Sequence, residues 1–199
     1  MLAPPSFFRC RASRNQRLKI GSPVQPWFIA TTRFGPDQGQ SWEDYRNWSG
    51  LHWLEEVVSL DPMLCPTVLR EIRDVYWPYI VNEDFLLDFF TDLDFLRRQL
   101  TAVEDRNLLC VFRNPALHPV LPAALDGFEF IGYDLVDVCG GASALTNCGG
   151  FPDVFDNAEL NSKGLLPQLG RAREIQRQLR IRHPEEHHAD CHLWAIFRE

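Results

Sequence analysis

The chain has 199 residues, 45% of them hydrophobic and 12% aromatic, with a formal net charge of −7. That length and composition suit one medium globular domain with a real core and exclude a chain too polar to fold. The acidic balance argues against a general nucleic-acid binder, whose affinity rests on neutralising phosphates. No apolar run approaches the roughly 18 residues of a membrane span.

The charge is unevenly distributed. Residues 1–36 hold six of the 20 basic residues and no acid, which leaves 14 basic against 27 acidic residues after them. Residues 1–26 therefore read as a basic, disordered leader; a mitochondrial-type transit peptide, or a start codon assigned too far upstream, fits the same composition. The acidic body is expected to be soluble and to favour basic partners. Cys10, Cys65, Cys110, Cys139, Cys148 and Cys191 form no C-x-x-C pair, so a zinc ribbon lacks its spacing and a reducing cytoplasm is the expected compartment.

In chain order, Trp27 to Phe34 is rich in aromatic and β-branched residues and is stopped by Gly35-Pro36, which predicts a first strand. Helices follow. Ser41 and Asp44 resemble a capping box, and Leu51, Leu54, Val57 and Val58 fall on one helical face before Asp61-Pro62. Pro66 suits a first helical turn ahead of Val68, Leu69, Ile72, Val75 and Tyr76. Asn82 can cap a helix reaching Leu100, and Thr91 with Asp94 offers a second cap that would split it.

Beyond residue 105 the pattern turns to strands: Leu108–Phe112, Phe128–Val136 with a bulge expected at Gly132, a short Ser143–Thr146 partner, and Asp190–Arg198. Between them, Gly164–Arg182 repeats apolar residues at helical spacing until Pro184. The fold class that follows is α+β over 27–199: a helical N-terminal half packed on a mixed, mainly antiparallel sheet, with one long C-terminal helix.

Three segments carry chemistry-bearing residues. The first is HPEEHHADCHLWAIFRE, residues 183–199, where four of the six histidines gather. Read as a strand, Cys191, Leu193, Ala195 and Phe197 share one face, and His188, Asp190, His192 and Trp194 the other. Two imidazoles and a carboxylate on one face suit Zn²⁺ or non-haem Fe²⁺. An extended strand holds the outer backbones about 13 Å apart, however, so a remote third ligand, His52 or His118, would be easier.

The second segment, Cys139 to Phe151, holds four glycines and two cysteines without a phosphate-binding fingerprint. Cys148 in its glycine-rich turn would be a nucleophile, with His188 or His192 as base and Asp190 as orienter. The third is the helix LGRAREIQRQLRIRH, whose arginines, Arg171 and Arg177 among them, would meet an acidic partner or the protein's own carboxylates.

Gly132-Tyr133-Asp134-Leu135, the run Ser143 to Gly150, His188-Ala189-Asp190-Cys191 and Trp194-Ala195-Ile196 resemble segments of uncharacterised bacterial cytoplasmic proteins. The resemblance spans residues 27–199 and implies a bacterial cytoplasmic origin, without an activity or site residue. The expected function is that of a soluble, non-enzymatic interaction protein without a cofactor, of the immunity type that binds a toxin or another protein. Trp42, Tyr45 and Trp48 would anchor that interface, with Arg171 and Arg177 contributing. The alternatives are the Cys148 hydrolase and a metal-dependent enzyme built on His188, Asp190 and His192.

Overall fold

A computed structural model describes residues 25–68, 80–81, 89–101, 103–138, 141–147 and 149–199. The elements, in chain order, are β1 (Trp27–Thr32), α1 (Gln40–Ser49), β2 (Ile80–Val81), β3 (Phe89–Phe90), α2 (Leu93–Gln99), β4 (Arg106–Arg113), β5 (Glu129–Asp137), α3 (Leu169–Arg182) and β6 (Cys191–Arg198). The strands form one sheet in the order β2-β3-β1-β4-β6-β5, and every pairing is antiparallel.

Antiparallel sheets commonly leave one face to water; this one is covered on both. Phe28, Ala30, Cys110, Leu135, Leu193 and Ala195 face a larger core that takes in Ala172, Ile175 and Leu179 of α3 and Trp42 of α1. Ile29, Leu109, Val111, Trp194 and Ile196 face a smaller one, with Val58, Leu60, Phe89 and Leu165. Two-sided burial explains why RNLLCVFR reads as an unbroken apolar run: its six central residues are all buried. The register of β5 on β6 slips between Phe130 and Gly132, the bulge the glycine predicts. Gly132 has φ 148°, and a Cβ there would sit 2.5 Å from Leu165 Cβ, so the loop carrying Leu165 lies directly on the bulge.

The expected helical N-terminal half is not what the chain builds. Only α1 is an α-helix between residues 27 and 68. Leu51, Leu54, Val57 and Val58 are buried as their spacing suggests, but the segment is irregular. Its backbone has partners elsewhere: Val57 N donates to Phe34 O at 2.8 Å, Glu55 N to Ser162 O at 2.9 Å and Val58 N to Lys163 O at 3.1 Å. Those long-range bonds satisfy groups a helix would have paired internally. Val68 N likewise donates to Ala30 O; the rest of the helix expected after Pro66, residues 69–79, lies outside the described residues, as do 82–88 and most of the leader.

The helix expected to reach Leu100 is the short α2, with Phe89-Phe90 a strand ahead of it. Its cap is Asp92, whose side chain accepts from Phe95 N. Among the described residues the sheet is wholly antiparallel rather than mixed. The long C-terminal helix is also corrected: α3 starts at Leu169, not Gly164, and has 14 residues. The residues ahead of it bond to the sheet instead, with Tyr133 N donating to Leu166 O at 2.8 Å and Leu166 N to Tyr133 O at 3.0 Å.

Candidate metal centre

Asp137 closes β5 and pairs with Cys191, the first residue of β6. Pro184 follows the end of α3, and the chain makes a 3₁₀ turn at His187–Asp190 before β6 begins. The hairpin register therefore sets the end of β5 beside that turn. Asp137, His187 and His188 each offer a ligand atom there, all within 4.8 Å of one another.

The three differ in environment. Asp137 is fully buried and His188 is 2% exposed, whereas His187 is exposed. Asp137 Oδ2 accepts from Ala142 N at 2.7 Å, which orients the carboxylate. The two imidazoles lie 3.9 Å apart between ring centroids, and Phe151 packs edge-on against His188 at 5.5 Å. His188 Nε2 is buried and has no hydrogen-bond partner among the described residues. Burial pushes the His188 pKa down to about 4, the neighbouring His187 adds to this, and Asp137 opposes it. The imidazole is therefore neutral near pH 7, the form that binds a metal ion.

A cleft of about 370 Å³ opens on the histidines, lined also by Asn147, Phe151, Asp153 and His183. At its rim His183 Nε2 contacts both Asp153 oxygens, at 3.0 and 3.1 Å. Behind it two fully buried carboxylates tie the loops together. Asp61 accepts from Met63 N and Leu64 N through Oδ1, and from Ser143 N and Asn147 Nδ2 through Oδ2. Asp134 accepts from Ser59 Oγ at 2.6 Å and Ser143 Oγ at 2.7 Å. Burial pushes the Asp134 pKa up, against the pull of its bonds from Ser59, Ser143 and Leu135.

The His188, Asp190 and His192 set does not assemble, because residues 187–190 form a turn and strand alternation starts only at Cys191. Only His188 joins the ligand group. Asp190 and His192 line a second cleft, of about 530 Å³, with Asn114, Arg173, Gln176 and Arg180. There Asn114 Oδ1 accepts from Leu193 N at 2.9 Å, which turns its Nδ2 toward His192 Nδ1 at 2.9 Å. His192 Nδ1 is then the acceptor and the ring proton sits on Nε2. Burial first, then Arg113, pushes the His192 pKa down to about 4.

Cys148, the expected nucleophile, lies outside the described residues. Cys191 is on the core side of β6 as alternation predicts, and burial pushes its thiol up to about 12. Of the expected interface anchors, Trp42 and Tyr45 are buried and stack on each other at 5.7 Å. Tyr45 Oη donates to Thr146 O at 3.0 Å. Both rings are core residues and cannot anchor a partner, while Trp48 is 57% exposed. The arginines take internal carboxylates: Arg171 pairs with both oxygens of Glu159, at 2.5 and 2.8 Å, and Arg177 with Glu174 at 2.7 Å.

Sequence reasoning missed Asp137 and His187. The available signals were a carboxylate at a strand end just before Cys139-Gly140-Gly141 and the doubled His187-His188. No helix among the described residues is long and apolar enough to cross a membrane. Compared with known proteins, the chain matches no family model, no curated protein and no solved structure.

Proposed function

We propose that this protein binds a divalent transition metal ion, Zn²⁺ or Fe²⁺, through Asp137, His187 and His188. The observation that carries this reading is His188, whose Nε2 is buried without a hydrogen-bond partner among the described residues and which belongs to the group whose ligand atoms lie within 4.8 Å of one another. A buried nitrogen left unpaired costs about 1–3 kcal/mol, a cost that coordination through that nitrogen would remove. Two imidazoles and a carboxylate match both catalytic zinc sites and the two-histidine, one-carboxylate iron sites.

Three protein ligands among the described residues, beside an open cleft, fit a site of the catalytic type, whereas structural zinc is closed by four. A bound ion supplies Lewis acidity and lowers the pKa of its water to about 7. Asp137 is held by Ala142 N, and Phe151 walls the buried side of His188. His183 and Asp153 stand at the rim, where an imidazole can relay a proton. The metal-enzyme reading thus moves from the expected His188, Asp190, His192 set to a neighbouring one.

Metal analysis of the purified, metal-reconstituted protein tests this. One Zn²⁺ or Fe²⁺ per chain is expected, lost in both His188→Ala and Asp137→Asn while circular dichroism stays native. Substoichiometric metal in the wild type, or full loading in both variants, overturns it.

A further inference from the structure

The second cleft differs from the metal centre in its charge. Arg173, Gln176 and Arg180 fall at i, i+3 and i+7 of α3, so they share the helix face that lines it. The other arginines of α3 have carboxylate partners: Arg171 pairs with Glu159, Arg177 with Glu174 and Arg182 with Asp153. Arg173 and Arg180 have none among the described residues, in a protein whose net charge is −7. Both are held by carbonyl oxygens instead. Arg173 Nη2 donates to Pro115 O at 2.6 Å and Ala116 O at 2.5 Å, and Arg180 Nε to Ala189 O at 3.4 Å.

A carbonyl orients a guanidinium without neutralising it. The bonds leave Nε and Nη1 of Arg173, and both Nη groups of Arg180, without a protein partner among the described residues. Gln176 between them is anchored through Nε2 to Cys191 O at 2.8 Å. His192, on the strand side of the cleft, has its proton on Nε2 because Asn114 Nδ2 faces Nδ1. The cleft thus presents two exposed, unneutralised guanidinia, Arg173 fixed by two short bonds and Arg180 more loosely by one long one, of the kind that bind carboxylate and phosphate in a bidentate manner. Seven residues of helix separate the two arginines by about 10 Å along the axis. Asp190 is the opposing charge in the cleft, and its side is exposed to water.

We propose that this cleft binds a small ligand bearing two oxyanionic groups, phosphates or carboxylates, one to each of Arg173 and Arg180. The helix spacing selects a doubly anionic ligand over a single ion. Asp190 weakens binding by repulsion and disfavours ligands that crowd it.

Calorimetric titration of the metal-free, chelator-treated full chain at low ionic strength tests the proposal, with pyrophosphate, glutarate and orthophosphate as separate probes. Pyrophosphate or glutarate is expected to bind at one site, about tenfold tighter than orthophosphate, and the better of the two identifies the class. Arg180→Gln and Arg173→Gln/Arg180→Gln are each expected to weaken it about tenfold or more. Arg177→Gln, on the Glu174 side of the same helix, leaves it unchanged, and Asp190→Asn tightens it. Arg180→Gln keeps the loop bonds of Arg173, so its result stands even if the double variant unfolds. Absence of saturable binding for both dianions, or equal weakening by Arg177→Gln and Arg180→Gln, overturns the assignment. Because the titration is metal-free, its outcome is independent of the metal centre.

Discussion

Asp61→Asn should destabilise the protein well beyond what the loss of one surface charge would. Asp61 is fully buried, and four donors meet its two oxygens: Met63 N at 2.8 Å and Leu64 N at 3.3 Å on Oδ1, Ser143 N at 2.9 Å and Asn147 Nδ2 at 2.7 Å on Oδ2. An asparagine must turn its NH₂ toward one pair. Turned toward Met63 and Leu64 it faces two backbone donors that cannot rotate. Turned toward Ser143 and Asn147, the Asn147 amide can flip and accept, but Ser143 N is left unpaired. The second orientation is cheaper and still costs about 1–3 kcal/mol for the orphaned donor.

Loss of charge assistance to the remaining bonds brings the total to about 2–4 kcal/mol. One effect runs the other way, since Asp61 and Asp134 repel each other. That repulsion ranks behind desolvation and the hydrogen bonds among the influences on Asp134, so it offsets only part of the loss. Urea unfolding followed by tryptophan fluorescence measures the change; with a slope of about 2 kcal/mol per molar, the midpoint falls by about 1–2 M. Asn147→Ala removes one donor and leaves Ser143 N bonded, so it should cost about 0.5–1.5 kcal/mol. A change below about 0.5 kcal/mol for Asp61→Asn, or equal costs for the two variants, would refute this donor accounting.

Gly132→Ala should cost about 2–5 kcal/mol, combining backbone strain with overpacking, because φ is 148° and the new Cβ would meet Leu165 Cβ at 2.5 Å. Leu165→Ala keeps that Cβ and should give no rescue; recovery of the melting temperature in the double variant would contradict the contact. Burial pushes the thiols of Cys65, Cys110 and Cys191 up to about 12, and the thiolate is the reactive form. Iodoacetamide at pH 8 should therefore leave these three unmodified in the native protein and label them in urea, as read by peptide mapping. Native labelling of any of them would show that its site opens.

Some of this was legible in the sequence. Gly132 inside a strand pattern marks a bulge because only a residue without a Cβ fits under Leu165. The alternation of Cys191, Leu193, Ala195 and Phe197 gave the core side of β6, since side-chain direction there is local geometry. The stretch Leu51–Leu60 was not legible. Its apolar spacing is helical, but its conformation is decided by carbonyls of Phe34, Ser162 and Lys163, which periodicity cannot see. The site is half legible: the histidine-rich stretch stands out, yet strand alternation carried back from Cys191 to His188 runs three residues too far toward the N-terminus. The 3₁₀ turn breaks that alternation, and the missing carboxylate, Asp137, arrives through the β5–β6 register.

The same register gathers an unusual amount of buried polarity at one end of the sheet. Asp61, Asp134, Asp137, Ser143 and His188 are all nearly or wholly excluded from water. Burying such groups is costly unless they are hydrogen-bonded, and most of this set meets that condition, Asp61 and Asp134 with several donors each. Four of the other buried atoms without a hydrogen-bond partner among the described residues have cheaper explanations. Thr31 and Thr146 present hydroxyls, and the Arg46 and Arg106 guanidinia bond through other nitrogens. His188 Nε2 differs from these. It belongs to a neutral imidazole already held beside a second imidazole and a fixed carboxylate. A buried imidazole nitrogen without a hydrogen-bond partner among the described residues, in a fold that satisfies its buried aspartates so fully, is the ground on which the proposed metal site rests.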